Sequence, residues 1–363
     1  MPMPPRPMLN ALTVPELAQL LDGRARAIEA LHWLYAQPPT SNEIPDAIPG
    51  VSWKVWRRVK ELCGLPKVAV VERTGSPDGT TKYLLDLDGA TAETVLIPAR
   101  GRSTVCVSSQ AGCTRNCAFC ATATLGFRRS LTAAEMIAQY RLARADAAKD
   151  APARNVVFMG MGEPMDNLDE VLRAIEVLTQ APEPMLAAKQ VTVSTSGVLP
   201  GMRRFLRESR ASLALSLNAS TDEQRDRLMP QNRTWPIASL LDALREDRAR
   251  NPKRVHFIEY VLFSGINDAD EDAARLPVLL EGINARVNLI PHNPVPGNPL
   301  RPPSDERVLA FQKRVADSGI RCLIRWPRGR EVAAACGQLA ATKWSEPETV
   351  GAPRERWRPI RDR

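Results

Sequence analysis

The stretch AGCTRNCAFCATATLGFRRS, residues 111–130, sets Cys113, Cys117 and Cys120 in the spacing Cys-x3-Cys-x2-Cys, with Phe119 just before the last. Thiolates bind soft metals and pair with one another, so four readings are open: disulfides, zinc, an iron–sulfur cluster, or plain core cysteines. The chain has seven cysteines, and an odd number leaves at least one unpaired, which disfavours a disulfide framework. Structural zinc takes four nitrogen or sulfur ligands. The only histidines, His32, His256 and His292, lie far along the chain from the triplet, although Cys106, Cys322 or Cys336 could complete a zinc set. Three thiolates with no fourth close by fit better a cubane cluster whose remaining iron stays open to chelate a small molecule through an amine and a carboxylate.

The elements that must hold this loop begin near residue 100. STVCVSS, NVVFMG, QVTVSTS, SLALSLN, HFIEYVLF and ARVNLI read as apolar strands, with RCLIRW as a last one, and helix-like stretches such as 133–149 lie between them. Thr132 and Glu135 form a capping box at the start of that helix. Repeated strand–helix units imply a parallel sheet, so the expected fold is α/β, an open, partial (β/α)6 barrel over residues 99–342. In such barrels chemistry gathers at the C-terminal ends of the strands. Polar residues sit there in Gly160-Met161-Gly162-Glu163-Pro164, Ser194-Thr195-Ser196-Gly197, Ser216-Leu217-Asn218 and His292-Asn293-Pro294. Converging ends of this kind mark a cofactor site.

Ahead of the barrel, residues 1–65 read as a small helical unit. Thr13 and Glu16 cap a helix bearing Leu17, Leu20 and Leu21, and a second helix carries Ile28, Leu31, Trp33 and Leu34 as far as Pro38-Pro39. A third carries Trp53, Trp56, Val59 and Leu62, and at that helical spacing both tryptophans are expected in the core. Residues 66–98 read as a β-hairpin linker turning at Ser76-Pro77-Asp78-Gly79, followed by the extended piece AETVLIP. Residues 343–363 form a basic tail, where Arg354, Arg356, Arg358, Arg361 and Arg363 surround Trp357 in a pattern suited to phosphate contact and base stacking.

The 363 residues include 49 Lys and Arg against 41 Asp and Glu, a net charge of +8. Such a surplus suits an acidic partner, and nucleic acid is the usual one. The first residues lack a basic stretch followed by a long apolar run, and no stretch approaches the roughly 18 apolar residues of a membrane helix. A cytoplasmic protein without membrane contact is therefore expected.

CVSSQAGCTRNCAFCATATLGFRRSLTAAEM, VVFMGMGEPMDNLDEV, VTVSTSGV and AACGQLA together resemble the RlmN/Cfr family of radical S-adenosylmethionine RNA adenine methyltransferases, over about residues 90 to 342. The resemblance implies one [4Fe-4S] cluster on Cys113, Cys117 and Cys120. It implies S-adenosylmethionine contacts from Gly162, Glu163, Ser194, Ser216, Leu217, Asn218 and Asn293. Cys106 and Cys336 match the family's catalytic cysteines, and Glu93 its proton-accepting carboxylate. The implied substrate is an adenine carbon, C2, of 23S rRNA, with tRNA as a further target. A small redox protein such as flavodoxin or ferredoxin would donate electrons, and no obligate protein partner is implied. The chain departs from the family pattern at Asn218, where the family has His, at His292, where it has Trp, and across residues 327–332.

Polar methyl transfer does not reach an electron-poor sp² carbon of adenine. In the mechanism the resemblance implies, two S-adenosylmethionine molecules are used per turnover. Cys336 takes a methyl group from the first by displacement. A radical derived from the second removes a hydrogen from that methyl group, and the resulting methylene adds to adenine. Cys106 then frees the product by forming a disulfide with Cys336. Cys63 and Cys322 match nothing and are expected as small buried fillers. Two other readings stand beside this one. The first is a paralogue that methylates C8 or another RNA. The second is a zinc-stabilised, non-catalytic RNA-binding protein in which Cys106 and Cys336 are idle.

Overall fold

The computed structural model describes residues 6–180 and 185–340, so the basic tail at 343–363 lies outside the described residues. Three helices come first: α1 (Val14–Leu20), α2 (Arg24–Ala36) and α3 (Trp53–Leu62). The Thr13–Glu16 capping box is formed and starts α1. Leu17, Leu31, Leu34, Trp56 and Val59 belong to a separate core, in which Trp33 meets Trp56 edge-on at 5.6 Å. Trp53 corrects the expectation, because it is 58% exposed. A three-residue repeat drifts by about 60° per step on a 3.6-residue helix, so Trp53 has turned off the face that Trp56 and Val59 share. Side chains fasten this unit to the barrel. Asn10 Nδ2 donates to Ala134 O, and the buried Arg141 donates to Leu34 O and Gln37 O.

Next come β1 (Ala69–Gly75), β2 (Thr81–Leu87), β3 (Ala90–Ala99) and β4 (Arg102–Cys106), each antiparallel to the next. A small hairpin follows, β5 (Gln110–Gly112) and β6 (Phe127–Ser130), with the turn of helix α4 (Ala121–Thr124) between its strands. The remaining chain alternates: α5 (Ala133–Ala145), β7 (Ala153–Phe158), α6 (Leu168–Thr179), β8 (Val191–Thr195), α7 (Leu199–Glu208) and β9 (Ser212–Ser216). It continues through α8 (Asp222–Leu228), α9 (Ile237–Arg250), β10 (His256–Leu262), α10 (Asp270–Leu279), β11 (Ala285–Pro291), α11 (Asp305–Asp317) and β12 (Arg321–Ile324).

Among the described residues ten strands make one sheet, in the order β1-β2-β3-β4-β7-β8-β9-β10-β11-β12. From β4 onward every neighbouring pair is parallel, with a helical crossover between successive strands. This is the open, partial (β/α)6 barrel expected, formed by β4 and β7 to β11 with their helices, and β12 adds a seventh parallel strand at its edge. The hairpin over 66–98 is formed too, but it extends the barrel's own sheet, through β3 and β4, rather than standing apart as a linker. Val105, Val156, Val193, Leu213, Ile258 and Val287 put apolar side chains from successive strands into one core, as parallel strands covered on both faces require. No helix among the described residues is long and apolar enough to cross a membrane.

Candidate active site

The cysteine triplet lies in the loop that the β5–β6 hairpin closes. Gly112 ends β5 at φ +78°, where a Cβ would stand 1.9 Å from Gly126 O. Only glycine lets Cys113 N donate to that carbonyl at 3.0 Å. Further along, Arg115 N donates to Cys113 Sγ at 3.4 Å, Cys120 N to Cys117 O at 3.1 Å, and Ala118 N to Leu228 O of α8 at 2.9 Å. Cys117 and Phe119 pack on Leu228, Met229, Phe263 and Leu300. Phe119, Phe263 and His292 stand ring against ring, with centroids 5.4 and 4.9 Å apart. Burial, and then Arg301, push the His292 imidazole down to about 4, so it is neutral at neutral pH.

Burial pushes the Cys113 thiol up to about 12 and raises Cys117 as well, and both feel the charge of Cys120. Thiols in such surroundings keep their protons until a cationic group displaces them. Among the described residues no three His, Cys, Asp or Glu side chains converge as they would on a single metal ion, these three included. A cubane asks for less convergence, because each thiolate takes a different iron. The donor set fits a three-thiolate cluster better than one zinc ion.

The expected S-adenosylmethionine contacts lie at neighbouring strand ends. Gly162, past β7, takes φ +102°, and a Cβ on it would come within 2.6 Å of Gln110 Cβ. Glu163 is buried, and its carboxylate accepts from Met165 N at 3.0 Å, Ser196 N at 2.8 Å and Ser196 Oγ at 2.6 Å. It thereby ties the end of β7 to the end of β8, while burial raises its pKa. Ser194 and Ser216 bring their hydroxyls within 3.4 Å of each other on β8 and β9. Leu217 is buried, and its N donates to Glu259 O at 3.0 Å. Asn218 takes φ +57°, a left-handed conformation asparagine tolerates. Its Oδ1 accepts from Val261 N at 2.9 Å and its Nδ2 donates to Met229 Sδ at 3.3 Å, so its amide is occupied within the protein. Asn293 Nδ2 donates to Cys336 O at 3.1 Å, while its buried Oδ1 has no partner. An orphaned buried acceptor here fits a donor on a bound small molecule such as S-adenosylmethionine.

Beyond β12 the chain returns over this mouth as a strap. Arg328 Nη1 donates to Pro98 O at 2.5 Å and Gly329 N to Asp78 Oδ2 at 2.9 Å, anchoring the strap on the hairpin side. On the cluster side Ala121 N donates to Gly337 O at 2.8 Å and Thr122 Oγ1 to Leu339 O at 2.7 Å. Between these anchors stands Cys336. It is exposed, and the protein packed around it and then the Glu259 carboxylate push its thiol up to about 11. Cys106, the last residue of β4, is buried, and burial followed by the charge of Cys336 raises its thiol. The two thiols, distant in sequence, stand within electrostatic reach of each other, and both are free. Glu93 on β3 is buried, pairs with Lys82 Nζ at 2.9 Å and accepts from Ala340 N at 2.7 Å.

Sequence reasoning passed over a polar stripe inside the barrel. Arg325 Nε donates to Asn288 Oδ1 at 3.0 Å, and Asn288 Nδ2 donates to Glu259 Oε1 at 2.8 Å across registered positions of β10 and β11. The available signal was a polar residue in the middle of each of two largely apolar strands. Burial pushes the Glu259 carboxyl up to about 7, against the help of Asn288 and Arg325. A carboxyl with a raised folded pKa keeps its proton longer than in the unfolded chain, so it lowers stability as pH rises through the interval from about 4 to 7. Glu259→Gln should therefore gain on the parent protein between pH 5 and pH 8, by up to about 3 kcal/mol. Thermal melts of both proteins across that range check it, and a constant gap would place the carboxyl in water.

Residues 107–276 match the Radical SAM superfamily. The chain is 48% identical over 278 residues to the dual-specificity RNA methyltransferase RlmN of Syntrophobacter fumaroxidans, covering 76% of this chain and 81% of that protein. It is 40% identical over 360 residues to the dual-specificity RNA methyltransferase RlmN 2 of Myxococcus xanthus, covering 92% and 94%. Among solved structures, a radical SAM methyltransferase from Sphaerobacter thermophilus superposes with a TM-score of 0.84 at 38% identity, over 92% of this chain and 99% of that one. With its cysteine loop, its barrel and its strap in place, the chain belongs to the RlmN family of radical S-adenosylmethionine RNA methyltransferases.

Proposed function

We propose that this RNA methyltransferase modifies an adenine carbon, C2, of 23S rRNA and of tRNA in the cytoplasm, through a methylated Cys336 that Cys106 resolves. The observation that carries this reading is the placement of two free thiols, Cys106 at the end of β4 and Cys336 on a strap tied to β3 at Pro98 and to the cysteine loop at Ala121. A [4Fe-4S] cluster on Cys113, Cys117 and Cys120, reduced by a flavodoxin- or ferredoxin-like protein, supplies the one-electron cleavage of S-adenosylmethionine when bound.

The protein's own residues do the rest. Asn293 fixes the backbone at Cys336, so the nucleophilic sulfur is held over the mouth. Its exposure gives a methyl donor and then an RNA base access to it. Cys106, buried behind it, is shielded from solvent oxidants until the sulfur of Cys336 is loaded. Glu93 accepts the proton that leaves the adenine carbon, with Lys82 as its countercharge. Two thiols with separate duties divide one inaccessible methyl transfer into feasible steps.

Nucleoside mass spectrometry of rRNA and tRNA from a strain lacking the gene tests the target. Loss of 2-methyladenosine from both RNAs is expected. Loss of 8-methyladenosine instead would move the reaction to C8, and loss from one RNA alone would narrow the substrate.

A further inference from the structure

Helix α8 is seven residues long and joins the ends of β8 and β9 to the cysteine loop. Arg225 lies within it with 0% of its surface exposed. Its Nε donates to Leu217 O at 3.0 Å, its Nη2 to Ser196 O at 2.6 Å and Ser216 O at 3.1 Å, and its Nη1 to Asn232 Oδ1 at 3.0 Å. One rigid guanidinium fork thus holds the carbonyls at the ends of both β8 and β9. The fit is close, because a Cβ on Gly197 would stand 3.0 Å from Nη2. The same segment grips the cysteine loop. Leu228 O accepts from Ala118 N at 2.9 Å. Gln231, in the next turn, donates to Ser196 O at 3.1 Å.

A fully buried guanidinium is costly unless something offsets its charge. Carbonyl dipoles solvate Arg225 but do not neutralise it, and no described carboxylate forms an ion pair with it. Asp222 and Asp226 share its helix without pairing to it, and the same helix holds the residue next to Cys117 through Leu228 O and Ala118 N. Negative charge on the cysteine triplet is the natural complement to this cation.

We propose that Arg225 is both the positioning residue and the buried countercharge of this centre. Its fork sets the strand ends that frame S-adenosylmethionine, and its charge offsets the thiolate-ligated cluster seated on Cys117. The proposal rests on the cluster and S-adenosylmethionine assignments made above. A fixed cation beside a cluster favours the reduced state, so it makes the cluster easier to reduce. Lysine keeps the charge but cannot span three carbonyls and an amide, whereas glutamine loses both functions.

The test uses the anaerobically purified, cluster-loaded enzyme. It measures the cluster midpoint by redox titration followed by electron paramagnetic resonance, and S-adenosylmethionine binding by equilibrium dialysis. Arg225→Lys should keep the midpoint while binding S-adenosylmethionine about tenfold more weakly, a change of about 1.4 kcal/mol. Arg225→Gln should bind as weakly and shift the midpoint to more negative potential. Should the glutamine variant fail to fold, Asp226→Asn on the same helix removes an opposing charge and should shift the midpoint to more positive potential. Variants with unchanged affinity and unchanged midpoint, differing only in melting temperature, would overturn the proposal. Parent enzyme that holds neither iron nor S-adenosylmethionine would overturn the cofactor reading instead.

Discussion

Replacing Cys106 by Ala is expected to leave the protein joined covalently to its RNA. In the proposed mechanism Cys106 acts only after the carbon–carbon bond exists, so its loss would stall the reaction with a methylene bridge between the Cys336 sulfur and the base. The adduct should survive denaturing electrophoresis and disappear on nuclease digestion. Cys336→Ala should give the opposite result: normal cluster loading and RNA binding, no methylated peptide by mass spectrometry, and no adduct. Folding does not blur the comparison. Cys106 sits at a strand end between the paired positions Val95 and Val157, and losing one small buried side chain costs about 1–3 kcal/mol. Two merely structural cysteines would show no such asymmetry. An adduct in Cys336→Ala, or normal turnover in Cys106→Ala, would reverse or remove the roles assigned to them.

The second large effect is on iron. Cys113→Ala, Cys117→Ala and Cys120→Ala should each bring iron content and visible absorption to background, because two thiolates do not hold a cubane in this loop. Cys63→Ala and Cys322→Ala should keep both, since those thiols lie in cores away from the loop, buried among apolar neighbours. Metal analysis of anaerobically purified protein checks all five. Retained iron in any of the first three variants, or stoichiometric zinc in the parent protein, would defeat the cluster assignment.

The cysteine triplet and the barrel were legible because each is written locally. The triplet is a spacing, and the parallel strands are short apolar runs between capped helices, as at Thr132 and Glu135. What was not legible depends on contacts between distant segments. Nothing in STVCVSS and AACGQLA alone says that Cys106 and Cys336 approach each other. That follows from anchors running from Pro98, Asp78 and Ala121 to the strap. Nor does the motif around Asn218 reveal that the backbone there turns into the left-handed region and that its amide bonds Val261 N and Met229 Sδ. Arg225 and Glu259 escaped notice for the same reason. Their meaning lies in which carbonyls and amides surround them, and an exposure of only 0% and 7% is not written in the identity of a charged residue. Trp53 failed at the level of helical phase, where one turn separates a core position from an exposed one.

The strap has a consequence for how the enzyme is made. Cys336 lies on the segment that is translated after every strand of the barrel, more than half the chain later than the cysteine loop. At about 5–20 residues per second, a ribosome leaves that loop without its partner thiol for roughly 10–40 seconds. During this interval a nascent chain owns the loop that would generate a radical but not the sulfur that would use it. On the roles proposed above, reactivity waits for the strap, which can be pinned at Pro98, Asp78 and Ala121 only after β12 has emerged.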